Sequence, residues 1–210
     1  DRAHSGFAEA AADAWDWDAI LDGAAILHLS GITPALGEAS ADAALAAVRA
    51  ARAKGVVVSF DGNFRAKLWE RRGVDPRPVL RELVASADLL FGNHRDVALL
   101  LDRQFSDEGE ARRQQAAQAA FEAFPNLKLI ASTARHVAQV DLHRLSARID
   151  TREGAAQTDE IEIAGIVDRI GGGDAFAAGV LHALLHGQGG DQAARTGLAL
   201  AALKHSMPGD

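Results

Sequence analysis

Apolar positions along the chain switch repeatedly between short continuous runs and helical stripes, a pattern that predicts an α/β layered domain rather than an all-helical or all-β one. Ala24 to Leu29 reads as a buried strand, closed by Ser30-Gly31 and followed by the breaker Thr33-Pro34. Ser40 or Asp42 can cap the next helix, whose Leu45, Val48 and Ala51 share one face and which Gly55 stops. Val56 to Phe60 is a second strand, ending at Asp61. Pro76 and Pro78 open a helix through about Ser86, Leu89 to Phe91 makes a short strand, and Asn93 stands at its end.

The Ala-rich stretch from Asp107 to Phe124 predicts a long helix closed by Pro125-Asn126, and Leu127 to Ser132 predicts a strand. The register then changes. His136 to His143, Arg144 to Ile149 and Glu160 to Ile163 alternate like antiparallel strands around the loop Thr151 to Thr158. Gly171-Gly172-Gly173-Asp174 opens an apolar helix from about Ala175 to Leu185, and a last helix runs from about Asp191 to Lys204. With no internal repeat and no low-complexity linker, residues 1–210 read as one domain. The expectation is a mostly parallel sheet with helices on both faces and an antiparallel extension towards the C-terminal half. Ligands in such sheets bind at the carboxyl ends of the strands. Asp61, Asn93 and the glycine turn all follow predicted strand ends.

Composition narrows the chemistry. The chain is 48% hydrophobic and 24% charged, which excludes the disordered, collagen-like and membrane classes. No apolar run approaches the roughly 20 residues that span a bilayer. The net charge of −7 argues against a general nucleic-acid surface, so anionic ligands need local positive sites. The absence of Cys removes disulfides, thiolate nucleophiles and cysteine-ligated zinc, and suits a reducing compartment. The only Met is Met207 and the chain opens at Asp1, so the translation start is expected upstream.

Asp168-Arg169-Ile170-Gly171-Gly172-Gly173-Asp174-Ala175-Phe176 is the sharpest local feature. Three glycines allow close backbone approach, and free amides at a helix N-terminus make an anion site. An Asp in that first turn would repel a phosphate unless it takes a proton from an incoming nucleophile; the alternative is a plain glycine turn with Asp174 as an ordinary helix cap. The Lys-Ser/Thr ending of a P-loop is absent, and Phe176 occupies the third glycine position of a dinucleotide fingerprint. In Asp61-Gly62-Asn63-Phe64-Arg65, alternate polar residues on an extended segment would converge on one ligand, with Arg65 suited to a carboxylate; a surface Asx turn is the other reading. Asn93 and Asp96 could order water around a magnesium ion, or simply cap a helix. His182 and His186 stand four apart but lack the Glu of a zinc hydrolase motif, and no Gly-x-Ser-x-Gly elbow exists. Trp15 and Trp17 are expected to pack a helix edge.

Taken together, His28 to Leu36 (HLSGITPAL), Asp61 to Trp69 (DGNFRAKLW), Phe91-Gly92-Asn93, Val167 to Phe176 (VDRIGGGDAF) and Ala202 to Asp210 (ALKHSMPGD) resemble the ribokinase-like (PfkB) family of carbohydrate kinases, most closely its 2-keto-3-deoxygluconate kinase branch. The resemblance runs over essentially the whole chain. It implies a three-layer ribokinase-like fold and ATP-dependent phosphorylation of a sugar acid, with magnesium. Asp174 would be the general base at the substrate's terminal hydroxyl, and Gly171, Gly172 and Gly173 the anion hole for the transferred phosphoryl. Arg65 would hold the substrate carboxylate, with Arg2, Ile32 and Asp210 around the substrate. Asn63, Arg65, Thr133 and Arg135 would meet nucleotide phosphates, along with Gly171 and Gly173, and Ala202 and His205 would build the adenine pocket. Asn93 and Asp96 match the magnesium-associated Asn-x-x-Glu motif, with Asp in the Glu place. The family's first strand, substrate loop and β-sheet lid precede the part that matches, so the chain is expected to be a partial kinase domain that turns over little by itself. The resemblance further implies a cytoplasmic enzyme, a homo-oligomer at full length, with no nucleic-acid or membrane partner. Another PfkB sugar kinase of ribose, fructose or hexose type, or a non-catalytic nucleotide or sugar sensor on the same fold, are the alternatives.

Overall fold

A computed structural model describes residues 4–209, which fall into two compact units that divide between Lys128 and Leu129. In the first unit two short helices, α1 (Gly6–Glu9) and α2 (Trp17–Ile20), precede strand β1 (Ile26–Ser30). Helix α3 (Glu38–Lys54), strand β2 (Val57–Asp61), α4 (Ala66–Arg72), α5 (Arg77–Ala85), β3 (Leu89–Phe91), α6 (His94–Leu101) and α7 (Gly109–Ala123) follow. The three strands are parallel, in the order β1-β2-β3, and their register aligns Ser30 with Asp61 and Asp61 with Phe91. One row of strand ends results. The consecutive residues Val58, Ser59 and Phe60 are all buried, so both faces of this sheet are covered, as a buried parallel sheet requires.

Helix α3 begins at Glu38 behind Gly37, earlier than a cap at Ser40 or Asp42 would give. Ser40 is fully buried inside the first turn, so packing overrides its capping propensity. Gly55 does end the helix, in the left-handed conformation at φ 71°. The rings of Phe7 on α1, Trp15 in the connection and Trp17 on α2 line up, with centroids 5.1 and 6.1 Å apart, and both short helices pack against α3.

The second unit is antiparallel in its sheet. Strands β4 (Leu129–Gln139) and β5 (Leu142–Thr151) form a long hairpin, and β6 (Ala155–Gln157) and β7 (Ile161–Ala164) each pair with β5. The expected strand from His136 to His143 is corrected: Val140 and Asp141 form the turn, and β4 continues unbroken from the core into solvent. Val140 is 88% exposed, so an apolar residue at the tip of the hairpin disguised the turn. The loop from Thr151 to Thr158 contains β6. Helices α8 (Gly172–Leu185) and α9 (Gly190–Lys204) complete the unit and cross closely, Gly179 against Gly197. Among the described residues no helix is long and apolar enough to cross a membrane.

Candidate active site

In the first unit the three aligned strand ends are stitched by backbone. The Gly31 amide donates to the Asp61 carbonyl (2.7 Å) and the Gly62 amide to the Phe91 carbonyl (2.8 Å). A methyl group on Gly31 would lie 2.0 Å from the Gly62 oxygen, so only glycine allows this approach. Asn63 then turns the chain. Its φ is +31°, its amide N–H donates to Asp61 Oδ1 (3.1 Å), and its side-chain Nδ2 donates to Ser30 Oγ (3.1 Å). The segment is therefore an Asx turn and not extended, and the alternation that would have aimed Asp61, Asn63 and Arg65 to one side is broken at Asn63. Ser30, which carried no separate role in the sequence, also accepts from the Ile32 amide (3.4 Å), while Ile32 itself is half-buried. Arg65 stands at the start of α4, exposed, and its guanidinium makes no hydrogen bond or ion pair with the described residues.

Asn93 and Asp96 form a capping box on α6: Asn93 Oδ1 accepts the Arg95 N–H (2.8 Å) and Asp96 Oδ2 accepts the Asn93 N–H (2.7 Å). Burial pushes the Asp96 carboxyl above its ordinary value against the lowering effect of the Asn93 and Asp96 amides and the Arg95 charge. Its other oxygen, Oδ1, is the near neighbour of Gly62, where a methyl group would come within 3.1 Å. With Asp96 Oδ2 committed to the cap, only its Oδ1 could face a magnesium ion held through water on phosphates, and a protein cage is not formed. Among the described residues no group of three or more His, Asp or Glu gathers as a metal cage would need. The His182 and His186 rings lie 4.2 Å apart, and Nδ1 of His186 faces the His182 carbonyl (2.8 Å).

In the second unit Gly171 precedes α8 in the left-handed conformation, φ 75°, and its carbonyl accepts the Ala175 amide (2.8 Å). The helix thus starts at Gly172, three residues before the apolar stripe begins. Two of the three glycines have a structural reason. Gly171 needs its positive φ, and Gly172 packs on His205, whose Cε1 would stand 3.3 Å from an added methyl. Gly173 has neither constraint, since nothing lies within 4 Å of where its methyl would sit. Asp174 is exposed in the first turn and no side chain caps this helix. The ordinary-cap reading of Asp174 is therefore not what the structure contains.

The turn is supported from below. Buried His205 sets Nδ1 2.6 Å from the Ala201 carbonyl, and its own carbonyl accepts from Val167 (2.9 Å) and Asp168 (3.3 Å). Asp168 accepts from the Ile170 amide (3.0 Å) and the Gly209 amide (3.1 Å), which hold its carboxyl below the usual range. An Asp two residues before a turn amide was the sequence signal for this role. Thr133 and Arg135, two apart on β4, are both exposed on one face, and Ala202 is half-buried on α9. Arg2 and Asp210 lie outside the described residues.

Residues 5–210 match the profile of the pfkB family carbohydrate kinases. The chain belongs to this family. A 2-dehydro-3-deoxygalactonokinase of Haloferax volcanii is 30% identical over all of this chain and 60% of its own length. A 2-dehydro-3-deoxygluconokinase of Bacillus subtilis is 28% identical over 88% of this chain and 51% of its own length. The PfkB chain thus spans between half and two thirds of the relatives it matches. The crystal structure of 2-dehydro-3-deoxygluconokinase from Thermotoga maritima superposes on 99% of it, and on 62% of that chain, with a TM-score of 0.90 at 31% identity. An E. coli structure in complex with ATP and Mg2+ shares the fold at a TM-score of 0.71 and 21% identity. The three-layer ribokinase-like α/β fold expected from the motifs is the fold of this PfkB chain.

Proposed function

We propose that the chain carries the phosphoryl-transfer machinery of an ATP-dependent sugar-acid kinase acting on a terminal hydroxyl, with 2-keto-3-deoxygluconate as substrate. The observation that carries this reading is Asp174: an exposed carboxylate in the first turn of α8, uncommitted to capping, beside a glycine whose openness has no structural cause. Asp174 accepts the proton of the attacking hydroxyl as its oxygen bonds to phosphorus. The amides of Gly171, Gly172 and Gly173 stabilise negative charge on the equatorial oxygens, the main task in this chemistry. Arg65, exposed and unpaired, holds the substrate carboxylate in a bidentate grip that a neutral sugar does not offer. ATP would supply the phosphoryl group, the bond from its γ-phosphorus to the bridging oxygen breaking and ADP leaving, and magnesium would neutralise charge on the phosphates. Asn93 and Asp96 would hold the ion through water, and Asn63, Arg65, Thr133 and Arg135 would contact phosphates, with Ala202 and His205 beside the adenine. Ile32, with Arg2 and Asp210, would border the sugar acid. The reading carries with it a cytoplasmic location, a domain completed by an N-terminal strand, substrate loop and lid, and a homo-oligomer in that complete form.

An ADP-release assay with 2-keto-3-deoxygluconate tests it, run on the chain and on a form extended to the length of its relatives. In the extended form Asp174→Asn should lower kcat by about 10²- to 10⁴-fold, the usual worth of a general base. Arg65→Ala should raise KM for the acid by about tenfold or more and leave a neutral sugar unaffected. Normal turnover by Asp174→Asn would overturn the assignment of the base, and an equal loss for both sugars that of Arg65.

A further inference from the structure

A cavity of about 780 Å³ opens in the first unit, lined from α5, from α6 and the turn after it, and from α7, and it contains none of the residues given a role above. Four arginines line it, Arg77, Arg95, Arg103 and Arg112, against one carboxylate, Asp102. That carboxylate is already spent. Arg77 grips Asp75 through Nε and Nη2 (3.0 and 2.9 Å) and reaches Asp102 through Nη1 (3.1 Å). Arg95, Arg103 and Arg112 are left without a carboxylate partner among the described residues. Arg103 lies over the ring of buried Phe105 at 5.4 Å, which orients its guanidinium as a plane, and Arg112 gives its Nε to the Asp107 carbonyl, leaving its terminal nitrogens.

Three like charges around one cavity repel one another, and a chain with net charge −7 has carboxylates enough to neutralise them. Next to Arg112 on α7, and outside the lining, Arg113 keeps a buried Nη1 without a partner among the described residues. Guanidinium forks match phosphate and carboxylate oxygens in pairs, and the volume falls within the roughly 300–1,000 Å³ of small-molecule sites. Ala98, Leu99 and Phe105 give the same cavity an apolar wall. We propose that this cavity is a second ligand site, for a small organic anion bearing at least two negative charges on phosphate or carboxylate groups. It is independent of the kinase reading, because no residue is shared.

Isothermal titration calorimetry of the chain with two probes, pyrophosphate and citrate, tests the site. At least one probe should bind at a single site with a Kd below about 1 mM, weakening as salt rises. The double substitution Arg95→Ala, Arg103→Ala should weaken it by about tenfold or more, and Arg103→Glu alone should do the same. Both side chains are exposed, so the variants are expected to keep their fold, which an unchanged melting curve verifies. Tighter pyrophosphate marks a phosphorylated ligand and tighter citrate a polycarboxylate. No binding of either probe, or binding equal in the variants, overturns the proposal.

Discussion

At the scale of single residues, the three glycines before Asp174 separate structure from chemistry. Replacing Gly171 forces a side chain into positive φ, and replacing Gly172 pushes on His205, so either change confounds folding with function. Gly173→Ala does neither. With open space around the new methyl and helical backbone already in place, alanine should raise stability by about 0.5–1 kcal/mol by restricting the unfolded chain. If the amide of Gly173 receives a phosphoryl oxygen at close range, the same methyl should lower kcat/KM by about tenfold or more. Thermal melts and initial rates on one preparation read both effects; a stabilised variant with unimpaired turnover removes Gly173 from the anion hole. The sequence made the turn legible because three consecutive glycines and an Asp stand directly before a long apolar run. Of the two readings that the residues Asp61 to Arg65 left open, the Asx turn is the one found, and Asn is among the side chains that most readily take a positive φ. The hydrogen bonds that hold it come from Ser30, 33 positions away, and from Asp61.

Elements show the same division between what is local and what is not. The ends of β3 were readable to the residue, since a short apolar run between a helix and Asn93 has few alternatives. Helix α4 was not resolved from the motif that contains it, because Asp61 to Trp69 read as chemistry and not as a stripe. The crossing of α8 and α9 depends on contacts that no periodicity encodes. A methyl on Gly179 would meet the Gly197 Cα at 2.7 Å and the Thr196 carbonyl at 2.8 Å, both backbone and unable to give way. A methyl on Gly197 would meet Phe176 and Val180, both buried. Gly179→Ala should therefore destabilise the protein by about 1–3 kcal/mol, the usual cost of overpacking, as measured by chemical denaturation. Since α8 begins at the glycine turn, forcing the helices apart should also displace the turn, and activity should fall more than the lost stability alone explains. Loss of stability with turnover per folded molecule preserved would show that the turn is held by His205 and Asp168 without help from the crossing.

Across the whole molecule, the two units carry buried titrating groups that respond to acid in the same direction but at different pH. In the first unit Asp88 is buried, and burial alone would raise its pKa. The Val58 amide (3.0 Å), the Lys128 ammonium (2.9 Å) and Arg52 (3.1 Å) outweigh that and hold it below its ordinary value. The unfolded chain then takes up a proton before the folded one does, so this contribution is present above the ordinary carboxylate value of 3.8 and is lost as pH falls below it. In the second unit His143 is fully buried on β5, and neither ring nitrogen has a hydrogen-bond partner among the described residues. Burial, with Arg135, Arg169 and His205 adding to it, holds its pKa below 6.5. The unfolded state again binds the proton first, but here the loss begins as pH falls through 6.5, more than two units higher. His94 of the first unit is held below 6.5 in the same direction by burial and the neighbouring arginines, but it is half-buried where His143 is fully buried, so on acidification the second unit should loosen first. Hydrogen exchange followed by mass spectrometry from pH 7 to pH 4, corrected for the intrinsic rate, should show protection falling in β4, β5 and β7 while β1, β2 and β3 stay protected. His143→Leu removes the buried proton acceptor, puts an apolar side chain in its place, and should abolish the early loss. Simultaneous loss in both units, or an early loss that persists in His143→Leu, would mean that His143 does not govern the acid response.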